Sequence, residues 1–244
     1  MAKKEGVRKL FDNIAPDYDR LNHILSLNID KGWRRKAVRE IIDEAKPLKV
    51  LDVACGTGDF TIEIARKASD GSEVIGVDIS EGMMTVGREK IRKAGVSAEL
   101  YVADCEALPY ADNTFDRISV GFGVRNFEHL ELGLEEMYRV LLPGGSFIQV
   151  LAEEDHLLGL KNIIYPELHH KEKLTTPDVP GFRLVESRKL QFTFTVEEEQ
   201  VQNLLSMTPH VYRIGKTGAE NLRKTEKLTD TASCVLNLYK PNQE

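Results

Sequence analysis

Cysteine is scarce in this 244-residue chain, three in all, and tryptophan occurs once. Cys55, Cys105 and Cys234 lie far apart and form no Cys-x-x-Cys pair, so neither a zinc knuckle nor a disulfide framework is available. Unpaired thiols suit a reducing compartment. No apolar run reaches the roughly 18 residues of a spanning helix. The opening Met1-Ala-Lys-Lys-Glu-Gly6 has no apolar stretch behind it. No secretory leader is therefore expected, and the chain is placed in the cytoplasm, with room for peripheral contact at the inner membrane face. Positive charge is not in excess, because 33 Lys and Arg face 39 Asp and Glu for a net −6. That balance speaks against gripping nucleic acid with the whole surface. Internal repeats and low-complexity tracts are missing, and a 41% hydrophobic, 30% charged composition excludes disorder and collagen-like order.

What is present is a change of texture along the chain. Residues 7–45 carry apolar side chains at helical spacing, with a break expected at Ala15-Pro16. Residues 1–40 hold ten basic and six acidic residues, so this amphipathic entry is basic where the whole is acidic. It reads as a helical cap over a sheet edge. From Pro47, short apolar runs alternate with helical stretches. Strands are predicted at 49–54, 73–78, 98–102, 115–121 and 146–151, and helices at 61–68, 82–94 and 130–142, the last stopped by Pro143-Gly-Gly145. Such alternation predicts βαβ units and a largely parallel sheet. Beyond Ala152, a polar stretch with His156, His169 and His170 leads to alternating runs at 182–186, 189–196 and 231–239, expected as antiparallel strands, with a helix at 197–207.

The sharpest signal is Val50-Leu-Asp-Val-Ala-Cys-Gly-Thr-Gly-Asp-Phe-Thr61, a strand running through Gly56-Thr57-Gly58 into a helix. Glycines there let a ligand lie against the backbone at the carboxyl edge of a parallel sheet. The third glycine of the dinucleotide pattern is Thr61, and no Gly-Lys-Ser/Thr for a nucleoside triphosphate exists. Asp52, just before the loop, would repel a pyrophosphate but suits a cation such as an amino-acid ammonium. Asp78, with Ile79 after it, stands 22 residues past Gly56, where an acidic side chain accepts from ribose hydroxyls. After the third strand, Asp104-Cys105 can meet the exocyclic amine of adenine. Adenosine plus an amino-acid tail, without phosphate, describes S-adenosyl-L-methionine.

Residues 47–151 resemble the class I (Rossmann-like) S-adenosylmethionine-dependent methyltransferases. Phe11-Asp-Asn-Ile-Ala-Pro-Asp-Tyr-Asp19, Leu21-Asn22, Leu25-Ser-Leu-Asn-Ile-Asp30, Trp33-Arg34, Glu106-Ala-Leu-Pro-Tyr110, Phe122-Gly-Val-Arg-Asn-Phe127 and Met137-Tyr-Arg-Val-Leu141 resemble one family among them. That family is the ubiquinone/menaquinone biosynthesis C-methyltransferases. The resemblance implies cofactor contacts at Thr57 and Asp78, and at Asp104 and Cys105 beside the adenine. Gly121 stands where several members have a cofactor-contacting Ser. Past Leu151 the likeness changes. His156-Leu157, Tyr165-Pro-Glu167, Pro180-Gly-Phe-Arg-Leu-Val-Glu186 and Leu204-Leu-Ser-Met-Thr-Pro-His-Val-Tyr-Arg213 are similar to the C-terminal part of bacterial 23S rRNA guanine-N1 methyltransferases. The chain thus reads as a mosaic joined near residue 151, yet as one methyltransferase domain over 1–244. Its parts are a helical cap (1–46), a cofactor core (47–151) and an acceptor-side, sheet-completing segment (152–244).

The core says little about the acceptor. Arg125 and Asn126, directly after the fourth strand, are placed near the line of methyl transfer, where Arg125 can stabilise a quinol oxyanion. Tyr18 on the cap is placed to close over it. For guanine N1, His210, Tyr212 and Arg213 offer a base and a slot. Three readings stay open: C-methylation of a lipophilic polyprenyl quinol, N1-methylation of rRNA, and a hybrid that binds cofactor without a productive acceptor pocket.

Overall fold

The computed structural model describes residues 3–26, 37–39, 42, 46–167, 176–206, 208, 210 and 214–242. α1 (Lys3–Ser26) comes first, followed by β1 (Lys49–Val53), α2 (Asp59–Lys67), β2 (Glu73–Asp78), α3 (Glu81–Ala94), β3 (Glu99–Val102) and β4 (Phe115–Gly121). A short 3-10 turn (Gly123–Asn126), α4 (Leu130–Val140), β5 (Leu141–Ala152), α5 (Leu158–Ile164), β6 (Phe182–Glu197), α6 (Glu198–Ser206), α7 (Lys216–Arg223) and β7 (Lys227–Pro241) complete the order. The strands form one sheet in the order β3-β2-β1-β4-β5-β7-β6. β1 to β5 pair in parallel, β7 runs antiparallel to β5, and β6 antiparallel to β7.

The apolar strand runs dictate two covered faces. On one face, Leu134, Met137 and Val140 of α4 pack over Leu51, Val53, Ile118, Val120 and Phe147. On the other, Phe60 and Ile64 of α2 meet Val50, Val74 and Ile148. Ala15 of α1 joins Met83 and Met84 of α3 and Leu100 of β3. A further cluster unites α5, α6 and α7 with the ends of β6 and β7 through Leu160, Val201, Leu222, Phe194 and Leu228. No helix among the described residues is long and apolar enough to cross a membrane.

Four expectations need correction. α1 runs straight through Pro16. The proline removes one N–H, and the Asp12 carbonyl it would have met lies against α3, only 3.1 Å from where a Cβ on Gly82 would stand. Pro143-Gly-Gly145 does not separate a helix from a strand. Leu141 already pairs with Phe115, and the tripeptide forms an irregularity inside β5 before Ser146 resumes the ladder opposite Arg117. The two runs at 182–186 and 189–196 are one strand, with a bulge between Leu184 and Glu186 and the Ser187 hydroxyl donating to Asn237 Oδ1 at 2.7 Å. α7 and α5 were not expected as helices, the one being too polar and the other, at seven residues, too short to show a helical period. Asp230 caps the latter by accepting from Gly159 N (3.0 Å) and Leu160 N (2.8 Å). Of the expected helix over 33–45, residues 37–39 are helical, and most of the rest lies outside the described residues.

Candidate active site

Parallel pairing brings the carboxyl ends of β1, β2, β3 and β4 to one rim. From Val53 the chain turns through three left-handed residues, Ala54 (φ 53°), Gly56 (φ 57°) and Gly58 (φ 77°), into α2. The Gly56 N–H donates to Asp78 Oδ2 at 3.0 Å, and the Ser80 N–H donates to Oδ1 at 3.0 Å. The Ile79 N–H adds to these. The carboxylate at the tip of β2 is thus fixed against the glycine loop, with lone pairs left for further donors. Burial pushes its pKa up, and the three N–H groups pull it back.

Gly121, which ends β4, faces open space: a Cβ there would meet nothing within 4 Å. At Gly123 a Cβ would strike the Ala54 Cβ at 2.4 Å. The turn after β4 is therefore pressed onto the loop after β1, and the Gly121 position next to it stays open. The Thr57 hydroxyl, 2% exposed, accepts from Lys90 Nζ of α3 at 3.1 Å.

Asp52 is not at the surface of this rim. It is 1% exposed, with Oδ2 accepting from Thr61 Oγ1 (2.7 Å) and Oδ1 from Ser119 Oγ (2.9 Å). Burial lifts its pKa to about 6 against the pull of those two hydroxyls. It ties β1, α2 and β4 together beneath the loop, and reaches a cation above only through its field.

At the end of β3, Asp104 Oδ1 accepts from Glu106 N at 3.0 Å, and Oδ2 meets Lys4 Nζ of α1 at 2.6 Å. Lys4 Nζ also lies 3.0 Å from Glu106 Oε2. Glu106, with a side chain only 4% exposed, accepts as well from Glu128 N (2.8 Å), His129 N (3.0 Å) and His129 Nδ1 (3.0 Å). Burial alone would raise this carboxyl, but the donors from His129, Lys4 and Glu128 outweigh it and bring the pKa to about 2. Cys105 is pushed up to about 12 by burial and by the Asp104 and Glu106 charges, so its thiol stays neutral where it packs against the core cluster. Further along α1, Asp12 Oδ1 accepts from Ser80 Oγ (2.6 Å) and Gly82 N (3.0 Å). α1 is therefore strapped to the tips of β2 and β3, the two places assigned to an adenosine.

A family model for the ubiE/COQ5 methyltransferase family matches residues 1–163. The chain belongs to this family. A demethylmenaquinone methyltransferase of Bacteroides fragilis is 54% identical over 148 residues, which are 60% of this chain and 60% of that protein. A ubiquinone/menaquinone biosynthesis C-methyltransferase of Geobacter sulfurreducens is 46% identical over 148 residues, 60% of this chain and 57% of that protein. The chain spans about 60% of the length of the curated relatives it matches. In fold alone, it is similar to a SAM dependent methyltransferase from Aquifex aeolicus, at TM-score 0.52 and 18% identity over 84% of this chain and 88% of that one.

The family match contains every rim loop described above and ends within α5. Arg125 sits in the 3-10 turn and Tyr18 in α1, but both side chains fall outside the described set, as do Tyr212 and Arg213. His210 is drawn to the Tyr165 hydroxyl at 2.8 Å, with the rings edge to face. Lys4, Asp12, Glu106 and Ser119 were not anticipated as parts of the site. Their partners lie 67 to 102 positions away for Ser119 with Asp52, Asp12 with Ser80, and Lys4 with Asp104 and Glu106. No local pattern marks such pairs.

Proposed function

We propose that the chain is an S-adenosylmethionine-dependent methyltransferase that methylates a ring carbon of a polyprenyl quinol of the demethylmenaquinol kind. The observation that carries this reading is the family match over 1–163, which spans both the glycine loop and the Phe122–Phe127 turn. The residues fit the cofactor. Asp78 takes the ribose hydroxyls, the positive-φ glycines let the backbone approach closely, and the open space at Gly121 gives room. Asp104 faces the adenine amine, and Cys105 lines the ring as a neutral thiol.

The cofactor supplies an electrophilic methyl group on a sulfonium sulfur, transferred in line to the acceptor carbon. The chain must hold that carbon in a near-attack position and stabilise charge on the ring oxygen. Arg125, in the turn pressed onto the Ala54 loop, provides the cation. Tyr18 in α1 closes over the acceptor and excludes water. The ring proton displaced from the methylated carbon leaves to solvent.

Residues 152–244, with their likeness to the rRNA guanine-N1 enzymes, close the acceptor side as part of one domain rather than bringing RNA. A lipophilic acceptor puts the protein at work on the inner face of a membrane from the cytoplasm. The test is purified protein with methyl-labelled cofactor and, separately, a demethylquinol and 23S rRNA lacking the modification. Label in the quinol is expected. Label in the RNA alone would favour the rRNA reading, and cofactor binding with no transfer would mark a hybrid without an acceptor pocket.

A further inference from the structure

The acceptor half of the sheet carries two buried amides in one register row, Gln149 and Asn237, with an exposed serine at the row's end. Register aligns Val53 of β1 with Val120 of β4, Val120 with Gln149 of β5, Gln149 with Asn237 of β7, and Asn237 with Ser187 of β6. Val53 is the last residue before the glycine loop, so this row lies level with the rim. Gln149 stands two positions after Phe147 and so shares its face, the one that holds Val53, Val120, Val124 and α4. It is 2% exposed, Asn237 is 0% exposed, and the Ser187 hydroxyl satisfies Asn237 Oδ1. Gln149 Oε1, by contrast, is buried with no hydrogen-bond partner among the described residues. An orphaned amide oxygen at the centre of a sheet is destabilising, and a bound molecule that supplies the donor is one way a folded chain accounts for it. The position is telling. The Phe122 N–H, which roots the turn bearing Arg125 and Asn126, donates to the carbonyl of Val150, the residue next to Gln149.

We propose that Gln149 is a positioning residue for the acceptor, its amide oxygen receiving the hydrogen bond of a ring hydroxyl of the quinol. This rests on the methyltransferase reading above. A phenolic hydroxyl is a strong donor of the right size, and it leaves Arg125 to the ring's other oxygen. With both oxygens held, the ring carbon between the turn and the cofactor cleft has one orientation.

The test compares wild type with Gln149→Met, an apolar side chain of similar length. It uses a demethylquinol with a short prenyl chain and the analogue carrying a methyl ether on one hydroxyl. Expected for Gln149→Met is a KM for the quinol raised about five- to tenfold, the worth of one neutral hydrogen bond. The cofactor Kd should be unchanged. Wild type should discriminate against the ether by a similar factor, and Gln149→Met should not. A variant with unchanged KM and unchanged ether discrimination, but a higher Tm, would overturn the assignment. Gln149 would then be only a destabilising orphan, and the methyltransferase reading would stand. A wild type that binds cofactor but transfers no label to quinol would overturn both.

Discussion

Replacing Asp52 by Asn probes the charge hidden beneath the glycine loop. The carboxyl is 1% exposed, and the Thr61 and Ser119 hydroxyls and the Thr61 N–H offset its burial only in part, which leaves its pKa near 6 against an ordinary 3.8. At neutral pH the folded chain therefore holds an ionised group that burial disfavours, at a cost on the order of 3 kcal/mol. In the unfolded chain this group loses its proton near pH 4, whereas in the folded chain it keeps it until about 6. The folded state thus binds more protons in between. The Asp52 contribution to stability is fully favourable below about pH 4, falls as pH rises to about 6, and then levels. Asn still accepts from one hydroxyl and carries no charge, so Asp52→Asn should show no such fall and gain about 1–3 kcal/mol at pH 7. Urea unfolding of both proteins in small steps from pH 4 to 8 measures this. If the difference between the two stability curves does not open between pH 4 and 6, the buried-charge argument is wrong. In the same variant, cofactor affinity should drop, as expected under the proposal that the negative field beneath the loop favours the amino-acid ammonium. A variant that gains both stability and affinity would refute that role.

Asp78→Ala should weaken cofactor binding by about 1–3 kcal/mol, as the loss of hydrogen bonds to a charged group does, and calorimetry reads it directly. Glu106→Gln leaves Lys4 short of a counter-charge and breaks the tie between α1, the β3 loop and the His129 segment. A loss of about 2–4 kcal/mol in unfolding free energy is expected. Because the Glu106 pKa is depressed to about 2, its contribution is present above about pH 4.5 and lost as pH falls toward 2, so the variant should flatten the acid limb of the stability curve. Ending the chain after Leu151 strips β7 from β5 and leaves Phe147 to Leu151 without their antiparallel partner. An aggregating product with no cofactor binding is expected, and a soluble fragment that binds cofactor would contradict the single-domain reading.

The βαβ core was legible because each element there is short, apolar and punctuated, so that periodicity and glycine placement carry the information. The Asp78 tip was legible for the same reason: its distance from Gly56 is set by one helix and one strand. Proline and glycine misled at Pro16 and at Pro143-Gly-Gly145 because tertiary packing absorbed them. Gly82 makes room for the Asp12 carbonyl, and the burial of Leu141 against Phe115 draws the chain into the sheet early. The polar residues 186–189 read as a break because an edge strand can expose them at little cost. Asp52, expected at the ligand, lies buried beneath the glycine loop, a depth that a strand pattern, which gives only a side chain's face, does not show. Gln149 gives no local signal, as one amide in an apolar strand shows nothing until the register places it.

β7 follows β6 in the chain, yet lies between β6 and β5 in the sheet. During synthesis β6 appears with nothing to pair against, and β5 keeps an open ladder edge beside it. Neither is closed until Lys227–Pro241 arrives and slots between them. The C-terminal half thus cannot assemble strand by strand; it waits for its keystone. This makes the late phase of folding the slow one and leaves two adhesive edges exposed together until it ends. Peptide extensions or substitutions that delay the insertion of β7 should lower the yield of folded protein well before they change the stability of the finished sheet.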